Sequence, residues 1–575
     1  MTNQMIRACA AIAALGLITL AGCSKTSPPK AVEVGAKPDL AAHSAEFRKE
    51  VIKVTDGVYV AVGFGLANSI LLEGDNGVVI VDTMESAEAA TAVKEAFDLI
   101  TNKPVKAIIY THNHADHVFG TQVLAGGHNP DVYSHESTRY YLDRVVNVIR
   151  PTIYRRSMRQ FGALLPEGGV INAGIGPRLR FDKSSTIALV FPTKTFSGDR
   201  LDVQIAGMKL QLFHAPGETN DQIFVWLPEK KVLLPADNFY KAFPNLYAIR
   251  GTPYRDVTQW VRSLDKMRAL QPEFLVPSHS RPLKGANKIY ATLTNYRDAI
   301  QFVHDQTIRL MNQGLTPDEI VERVKLPAHL AGLPYLHEYY GTMEWSIRAV
   351  YNGYLGWFDG NATNLFPLPL QERAKRFAGL AGGKDALLAR ARDAVAKNDH
   401  QWALELTDQL LILNPDLKEA RDLRASALSS LGQKQINANA RNYYLTQALE
   451  TQKKLEIGTR KVTEKDLVHK IPLKAIFNSM TVNLNPAESS DTNTIVGFRF
   501  PDTKEEFMVH VRRGVAEIQP HFPKNPHITV TVDSNVWKEI VAGIRSPAIA
   551  YARGEVRIDG GALNLVGFLK LFKAD

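Results

Sequence analysis

The sequence predicts an α/β sandwich of sheets and helices, followed by an all-helical domain and a smaller α+β domain. Between residues 50 and 285, short β-type runs alternate with helical or loop segments, and several runs end in polar residues. Between 286 and 455, apolar residues recur at helical spacing. From 458 to 575, alternating strand patterns mix with two apolar helical segments, which is typical of an independent α+β domain.

Length and composition set the broad class of the protein. A chain of 575 residues is too long for one core and indicates about three or four domains. Its hydrophobic fraction of 45% and charged fraction of 22% are ordinary for a globular protein. The net charge of +9 is spread along the chain without a long basic block, so we expect no nucleic-acid partner.

The N-terminus has the pattern of an export signal. Residues 1–22 combine one basic residue with an apolar stretch that is too short for a committed membrane span. They end in "LAGC", which resembles a bacterial lipobox, so Cys23 is expected to carry lipid and anchor the mature chain. Because Ser24 rather than Asp follows, the expected location is the periplasmic side of the outer membrane. The alternative is an ordinary signal that is cleaved nearby. Residues 23–49 are rich in Pro, Ala and Ser and predict a flexible tether.

Four strands and a helix open the α/β region. "GVYVAVG", "NSILLEG" and "GVVIVDT" are three strands that are separated by Gly, Asn and Asp. "SAEAATAVKEAFDLI" predicts an amphipathic helix with Ser86 as its N-cap. "VKAIIYTH" is then a buried strand that ends in polar residues. Later apolar runs also end in polar residues that could bind a ligand.

The helical region contains recognisable helix boundaries. "TPDEIVERV" begins with a Thr cap and acidic residues in its first turn. Further along, Ala403, Leu406, Leu410 and Leu413 share one helix face, and Asn414-Pro415 breaks the chain into a second helix. One such pair resembles a tetratricopeptide unit but is too little for a solenoid. We therefore expect a small helical domain for packing or dimerisation.

The strand "VKAIIYTH" runs into a dense group of metal-ligating side chains. The stretch "THNHADH" has the spacing His-x-His-x-Asp-His, and imidazole and carboxylate groups suit Zn²⁺. Downstream strands end in further ligands, which a merely His-rich solvated loop would not require. The candidate metal ligands are His112, His114, Asp116, His117, Glu218, Asp237 and His279. This set is large enough for two catalytic metal ions with one bridging carboxylate.

The motif "THNHADH" resembles the metallo-β-lactamase superfamily, which implies an αββα sandwich for residues 50–285. Most members have His where this chain has Glu218. That Glu, with "NLYAIRG", "AVYNGYLGWFDGN" and "NYYLTQALE", makes nearly the whole mature chain similar to the linear alkyl sulfatases. The resemblance implies a helical dimerisation domain over 286–455 and a domain similar to sterol carrier protein 2 over 458–575.

The resemblance also implies roles for individual ligands. His112, His114 and Glu218 would hold one zinc, and the second would be held by Asp116, His117 and His279. Asp237 would span both ions, so Asp116 and Asp237 are also expected to be catalytic. Alkyl sulfatases usually have Glu at the bridging position, and Asp237 is one methylene shorter. His214 matches no ligand and is expected to lie behind the site or in the core.

The loop after Asp237 carries the expected substrate contacts. Asn245 and Arg250 match the sulfate-binding residues of alkyl sulfatases, and an Arg side chain can pair with two oxygens of a tetrahedral anion. Tyr247 is expected either in the pocket wall or in the core. The aromatic residues that could contact an alkyl chain, or belong to the core, are Tyr339, Tyr340, Trp345 and Tyr351. An apolar tunnel in the C-terminal domain is a second hypothesis for the alkyl chain, beside a structural role.

These observations favour an exported, lipid-anchored, homodimeric zinc hydrolase that cleaves amphiphilic alkyl sulfate esters to alcohol and sulfate. One alternative is hydrolysis of a phosphoester, thioester or lactone on the same fold. The other is an envelope lipid-binding protein without enzymatic activity, in which the metal site would be degraded. All seven ligands are present in the sequence, which disfavours that alternative.

Overall fold

The computed structural model describes residues 37–458 and 465–572, and its first feature is a pair of sheets that lie face to face. The first sheet holds seven strands in chain order: β1 (Glu50–Thr55), β2 (Val58–Val62), β3 (Ser69–Glu73), β4 (Val78–Val81), β5 (Val105–Ile109), β6 (Asp131–His135) and β7 (Lys194–Phe196). Pairing is antiparallel from β1 to β4 and parallel from β4 to β7.

The second sheet is mostly antiparallel. Its six strands are β8 (Arg200–Ile205), β9 (Met208–His214), β10 (Ile223–Leu227), β11 (Val232–Leu234), β12 (Phe274–Leu275) and β13 (Leu283–Lys284). They lie in the order β13-β12-β11-β10-β9-β8, and β11 and β12 are the one parallel pair within this sheet. Val60, Val81 and Ile109 of the first sheet share a buried core with Leu212 and Val225 of the second. This apolar layer holds the two sheets together.

Helices cover the outer face of each sheet, so the predicted αββα sandwich is confirmed. Helix Ala87–Asp98 packs on the first sheet, and the Ser86 side chain caps it by accepting a hydrogen bond from the Ala89 N–H, as predicted. Helices Val257–Ala269 and Ala286–Met311 cover the second sheet. The latter helix therefore packs with the sandwich, although the sequence analysis placed it in the helical domain.

The helical region follows the predicted pattern. The other helices up to residue 451 are Pro38–His43, Ala115–Val118, Thr121–Leu124, Thr138–Asp143, Arg150–Gln160, Pro317–Arg323, Ala328–Ala331, Met343–Leu355, Leu370–Leu380, Lys384–Ala396, His400–Leu413, Lys418–Lys434 and Ala438–Thr451. Thr316 and Glu319 form a capping box at the start of Pro317–Arg323. Helix His400–Leu413 ends before Asn414, as expected, and packs on Lys418–Lys434 through Leu406 and Leu428.

The C-terminal part is α+β, as predicted. Its strands are β14 (Asn493–Phe500), β15 (Glu505–Arg512), β16 (Val515–Gln519), β17 (Ile528–Val532) and β18 (Val556–Asp559), in the order β16-β15-β14-β17-β18. Its helices are Lys465–Lys470, Leu473–Thr481, Ser534–Val541, Pro547–Ala552 and Ala562–Lys570. Aromatic side chains fill the core, and the rings of Phe477 and Phe507 stack at 4.4 Å. The strand pattern "EEFMVHVRRGVAEI" over residues 505–518 forms a hairpin rather than one strand, because the backbone reverses at Arg513 and Gly514, whose φ angles are 41° and 86°.

The predicted flexible tether is wrong for residues 37–49. Leu40 and Phe47 are buried, and His43 stacks on Tyr339 with ring centroids 4.0 Å apart. These few apolar and aromatic side chains are enough to attach a segment whose overall composition indicated a linker. The export signal over 1–22 and Cys23 lie outside the described residues. Among the helices of 37–458 and 465–572, none is both long and apolar enough for a membrane crossing.

Candidate metal centre and active site

The strand ends bring all seven predicted metal ligands to one edge of the sandwich. The first four follow β5, the last two of them within the short helix Ala115–Val118. Glu218 follows β9, Asp237 follows β11 and His279 follows β12. Six of the seven side chains are buried, and His114 is half-buried. The two sheets therefore bring together ligands that lie far apart in the sequence, because each ligand follows the end of a strand.

Asp237 lies at the middle of this group. Its Oδ2 is 3.6 Å from His112 Nε2, 3.5 Å from His117 Nε2 and 3.2 Å from His279 Nε2. The ligating atoms form three compact groups: His112 with His117 and Asp237, Asp116 with His117 and His279, and His114 with Glu218 and Asp237. Asp237 and His117 each belong to two of these groups. The position of Asp237 Oδ2 close to three imidazole nitrogens from different groups fits a carboxylate that neighbouring metal ions share.

The residues present fit bound metal ions. Within the described part of the chain, His117 Nε2, Glu218 Oε2 and Asp237 Oδ1 are buried and have no hydrogen-bond partner. Leaving buried polar atoms unpaired costs free energy, and all three residues belong to the groups of potential metal ligands. Imidazole nitrogens with carboxylate oxygens are a donor set that divalent transition metals bind.

Asp82 is a functional residue that the sequence analysis missed. Its Oδ2 lies 2.7 Å from His117 Nδ1 and accepts hydrogen bonds from the hydroxyls of Thr111 and Ser278, both at 2.9 Å. A proton that is held on Nδ1 leaves Nε2 of His117 free to bind a metal. The sequence feature that could have identified Asp82 is its position at the end of the strand pattern "GVVIVDT", because polar residues at the ends of neighbouring strands meet at the same edge as the ligands.

Electrostatics within the cluster favours the charged form of Asp237 and the neutral forms of His112 and His114, whereas the pKa values of His117, His279 and Glu218 are raised. Burial raises the pKa of Asp237, but the imidazoles of His279 and His117 outweigh it and hold that pKa well below its usual range. Burial lowers the pKa of His112 and His114 well below the usual value for histidine. Neutral imidazoles and ionised carboxylates are the forms that bind metals.

Arg255 is the second residue that sequence reasoning missed. Its Nη1 lies 3.1 Å from Glu218 Oε1, and both side chains are buried. The same guanidinium also donates to the backbone carbonyl of Asn245. Arg255 therefore fixes the Glu218 carboxylate and the loop that carries the predicted substrate residues. The sequence feature that could have identified Arg255 is its place as the second Arg in "NLYAIRGTPYRD", to which no role was assigned from the sequence.

Arg250 lies at the metal centre, as predicted for a sulfate-binding residue. Its Nη2 is 3.1 Å from His114 Nε2, and its guanidinium lies over the Phe161 ring. Among the described residues, Arg250 Nη1 has no hydrogen-bond partner although it is buried. This orientation leaves a donor next to the ligands, where a substrate anion would be held.

The structure separates the other predicted substrate residues. Asn245 is fully buried and does not line the cavity at the metal centre, and its side-chain amide has no hydrogen-bond partner within the described residues. Tyr247 does not line the cavity at the metal centre. With Trp345 it lines a second cavity, because the loop turns its side chain towards helix Met343–Leu355. Tyr339 packs on His43, and Tyr351 belongs to the core beneath the second sheet.

A cavity of about 180 Å³ joins the metal centre to an apolar wall. His114, Asp116, Glu218 and Asp237 line it, together with Arg250. The apolar part of its lining includes Phe119, Val145, Ile153, Met158, Phe161, Ile175, Leu179, Phe181 and Ile187. Of the four aromatic residues proposed from the sequence, only Tyr340 lines this cavity. The wall comes instead from helix Arg150–Gln160 and the loops around it, whose sequence has no distinctive pattern.

His214 lies behind the active-site cavity, in agreement with the prediction that it is not a ligand. Its ring stacks on His135 at 3.8 Å, and its Nε2–H donates to the carbonyl of Asn220. Asn220 lines the cavity and donates to the Tyr141 hydroxyl. The two stacked rings therefore support one side of the cavity.

We expect His135 to make folding stability depend on pH. Burial, with the facing His214, lowers its pKa to about 4, whereas the unfolded chain has a pKa of about 6.5. Between these values the unfolded state binds the proton and the folded state does not, so stability falls as the pH falls from about 6.5 to about 4. His135→Phe should flatten the thermal-melting profile in this window. The exposed His128→Phe is the matched control, and an equal effect of both variants would contradict this assignment.

Comparison with known proteins identifies the chain. Three families match successive segments: Metallo-beta-lactamase superfamily over residues 62–279, Alkyl sulfatase dimerisation over 316–454 and Alkyl sulfatase C-terminal over 461–574. The chain is 39% identical over 523 residues to the linear primary-alkylsulfatase of Pseudomonas sp. (strain ATCC 19151), which spans 87% of this chain and 98% of that protein. The protein belongs to the alkyl sulfatase family.

Other alkyl sulfatases are similar over the same extent. The alkyl/aryl-sulfatase BDS1 of Saccharomyces cerevisiae is 30% identical, over 91% of this chain and 82% of its own. The solved structure of the stereoselective inverting sec-alkylsulfatase Pisa1 from Pseudomonas sp. has a TM-score of 0.87 and 28% identity, and covers 94% of this chain and 87% of that one. The family and fold that the sequence predicted are thereby confirmed.

Proposed function

We propose that this alkyl sulfatase family member hydrolyses alkyl sulfate esters to an alcohol and inorganic sulfate. The observation that carries the proposal is the single cavity lined by the candidate metal ligands, by Arg250 and by a broad apolar wall. An amphiphilic sulfate ester has an anionic head and an apolar chain, and it matches both parts of this lining. The names of the relatives support the same substrate class.

Each part of the cavity then has a role. The Arg250 guanidinium pairs with sulfate oxygens and orients the head group. The apolar wall, with Phe119, Met158 and Phe181 among its members, excludes water around the chain. Asp82 holds His117 in the tautomer that leaves Nε2 facing the centre.

The proposed cofactor is two Zn²⁺ ions. His112, His114 and Glu218 would hold one ion, Asp116, His117 and His279 the other, and Asp237 both. Bound zinc supplies positive charge to the reacting group and lowers the pKa of water. The unpaired buried atoms among the seven donors support a metal site, and Asp116, His117 and His279 form one compact group. His114 and Glu218 share a second group with Asp237, whereas His112 groups with His117 and Asp237.

Specific features favour sulfate esters over the alternatives. A neutral thioester or lactone would offer no anionic partner to the buried Nη1 donor of Arg250. A phosphoester shares the negative charge and is distinguished by experiment. A lipid-binding protein without activity does not require the complete ligand set.

Substrate comparison tests the proposal. Purified protein is offered dodecyl sulfate, dodecyl phosphate, an acyl thioester and a lactone, and the released sulfate, phosphate, thiol or acid is measured. We expect dodecyl sulfate to be the preferred substrate. If no alkyl sulfate of any chain length releases sulfate, the proposed function is wrong.

We propose that the protein is a homodimer that pairs through its helical region. Residues 354–370 expose several large apolar side chains, among them Trp357 at 73% and Phe366 at 92% exposure. Burying such side chains in a two-fold interface is favourable, and aromatic residues often dominate interface energies. The family match to the dimerisation domain supports this arrangement.

We expect Phe366→Asp to weaken the dimer. A charge in place of a buried aromatic side chain costs at least about 2 kcal/mol, so dissociation should increase by about 30-fold or more. Light scattering over a concentration series measures the effect. Leu563→Asp, at an exposed leucine of the C-terminal domain, is the matched control and should leave the mass unchanged. A monomeric wild-type protein at micromolar concentration would contradict the dimer.

Envelope anchoring is proposed from Cys23 alone. Lipid on this cysteine would place the enzyme on the periplasmic side of the outer membrane. We expect Cys23→Ser to give a soluble or unprocessed protein in membrane fractionation. An unchanged membrane fraction would remove the lipoprotein proposal and leave ordinary secretion.

A further inference from the structure

The chain on either side of residues 459–464 packs behind the cavity wall. On the near side, Ile457 is buried and forms a cluster with Tyr154 and Met158 of helix Arg150–Gln160, and Leu179 and Phe181 pack against this cluster. All of these neighbours of Ile457 line the active-site cavity. Ile457 therefore forms a layer directly behind the apolar wall.

On the far side, Leu467 supports the same wall. It belongs to the C-terminal domain and is 3% exposed, yet it joins the core of the first sheet rather than that of its own domain. This core includes Ile187, and Phe119 and Phe181 pack against it. These three side chains also line the cavity. Leu467 thus joins, from the C-terminal domain, the core that includes or contacts these wall side chains.

A third contact involves the turn before helix Arg150–Gln160. Residues Arg144–Val148 form a π-helical turn, and Arg144 and Val145 line the cavity. Helix Leu473–Thr481 of the C-terminal domain packs against this turn. π-helical turns are rare and occur frequently at functional sites. The C-terminal domain therefore supports the wall at two places, and Ile457, in the segment just before this domain, supports it at a third.

We infer that Ile457 and Leu467 are positioning residues that set the size of the alkyl-binding part of the cavity. They act through the wall residues and do not touch the substrate. This inference rests on the proposed alkyl sulfatase function and deepens it. It gives the C-terminal domain a defined task, which is to support the wall of the active site from behind.

The physical reason is the close packing of protein interiors. Removing methyl groups behind a wall leaves space into which the wall side chains can relax, and this relaxation enlarges the neighbouring cavity. A hydrophobic pocket discriminates between substrates that differ by one methylene by about 10- to 200-fold at most. A change in the space behind Met158 and Phe181 should therefore change the preferred chain length.

The test uses the full-length variants Ile457→Ala, Leu467→Ala and the double variant. Values of kcat/KM are measured for alkyl sulfates of six to sixteen carbons, together with bound metal and melting temperature. We expect the ratio of kcat/KM for the longer over the shorter chains to increase by about tenfold in the double variant, with unchanged metal content. Leu467→Phe, which fills space, should shift the ratio towards shorter chains.

The matched control is Leu565→Ala. It removes the same side-chain atoms as Leu467→Ala, but from the core of the C-terminal domain. It should lower the melting temperature without changing the chain-length profile. If folded Ile457 and Leu467 variants keep the wild-type profile within twofold, or if Leu565→Ala shifts it equally, the inference is wrong. If the wild-type enzyme cleaves no alkyl sulfate, the proposed function itself is wrong. If the wild-type enzyme cleaves alkyl sulfates but the variants keep its chain-length profile, only the inference about Ile457 and Leu467 is wrong.

Discussion

Asp237→Asn is expected to lose bound metal and activity together. Asp237 Oδ2 lies within 3.6 Å of the Nε2 atoms of His112, His117 and His279, so it is the shared contact of the cluster. An amide has the same shape as the carboxylate but lacks its charge, and it bridges two cations poorly. Residues behind a ligand already change metal affinity by about 10- to 100-fold, so the loss here should reach at least about 100-fold. Metal analysis after dialysis and an assay of sulfate release measure the two effects.

The matched control is Asp221→Asn. Asp221 is also fully buried near the cavity, but its carboxylate accepts a hydrogen bond from Asn113 and belongs to none of the three ligand groups. This variant should keep its metal content. If Asp237→Asn retains the wild-type metal content and turnover, Asp237 is not the shared ligand.

Arg250→Ala is expected to keep the metals and to lose sulfate ester turnover. Arg250 directs a buried, unpaired Nη1 into the site while its Nη2 lies 3.1 Å from His114. Breaking a charge pair in a desolvated pocket costs about 2–5 kcal/mol, which corresponds to a decrease in kcat/KM of about 30-fold to several thousandfold. Part of this loss should be a higher KM, because the pair forms in the ground state as well as in the transition state.

Two comparisons separate a substrate role from a structural one. An uncharged ester should be affected much less than an alkyl sulfate by Arg250→Ala. Arg255→Ala should instead lower metal content, because it leaves the buried Glu218 carboxylate without its partner at 3.1 Å. Equal losses on both substrates, or loss of metal from Arg250→Ala, would assign Arg250 a structural role.

The metal centre could be predicted from the sequence because its information is local. The ligands from His112 to His117 lie in one short motif, and Glu218, Asp237 and His279 each follow an apolar strand. Strand periodicity and capping likewise indicated the sandwich, for example at Ser86. The resemblance to alkyl sulfatases added the pairing of ligands with ions, which spacing alone leaves open.

The residues that were missed act through tertiary contacts. Asp82 and Arg255 are single charged residues whose partners, His117 and Glu218, are 35 and 37 positions away in the sequence. The apolar wall is built from a helix and loops without clear periodicity, so no local sequence pattern marks it. The sequence left the position of Tyr247 open between pocket wall and core, because the side on which a loop residue points depends on packing that sequence does not encode locally.

Stepwise metal addition tests the central claim most directly. The full-length protein is stripped with a chelator and titrated with Zn²⁺, while bound metal and sulfate release from dodecyl sulfate are measured in the same samples. We expect sulfate release to be absent without metal, to rise with added zinc and to reach its plateau at two ions per chain. Full sulfate release from metal-free protein, or a plateau well below two ions per chain, would contradict a catalytic centre that holds two metals.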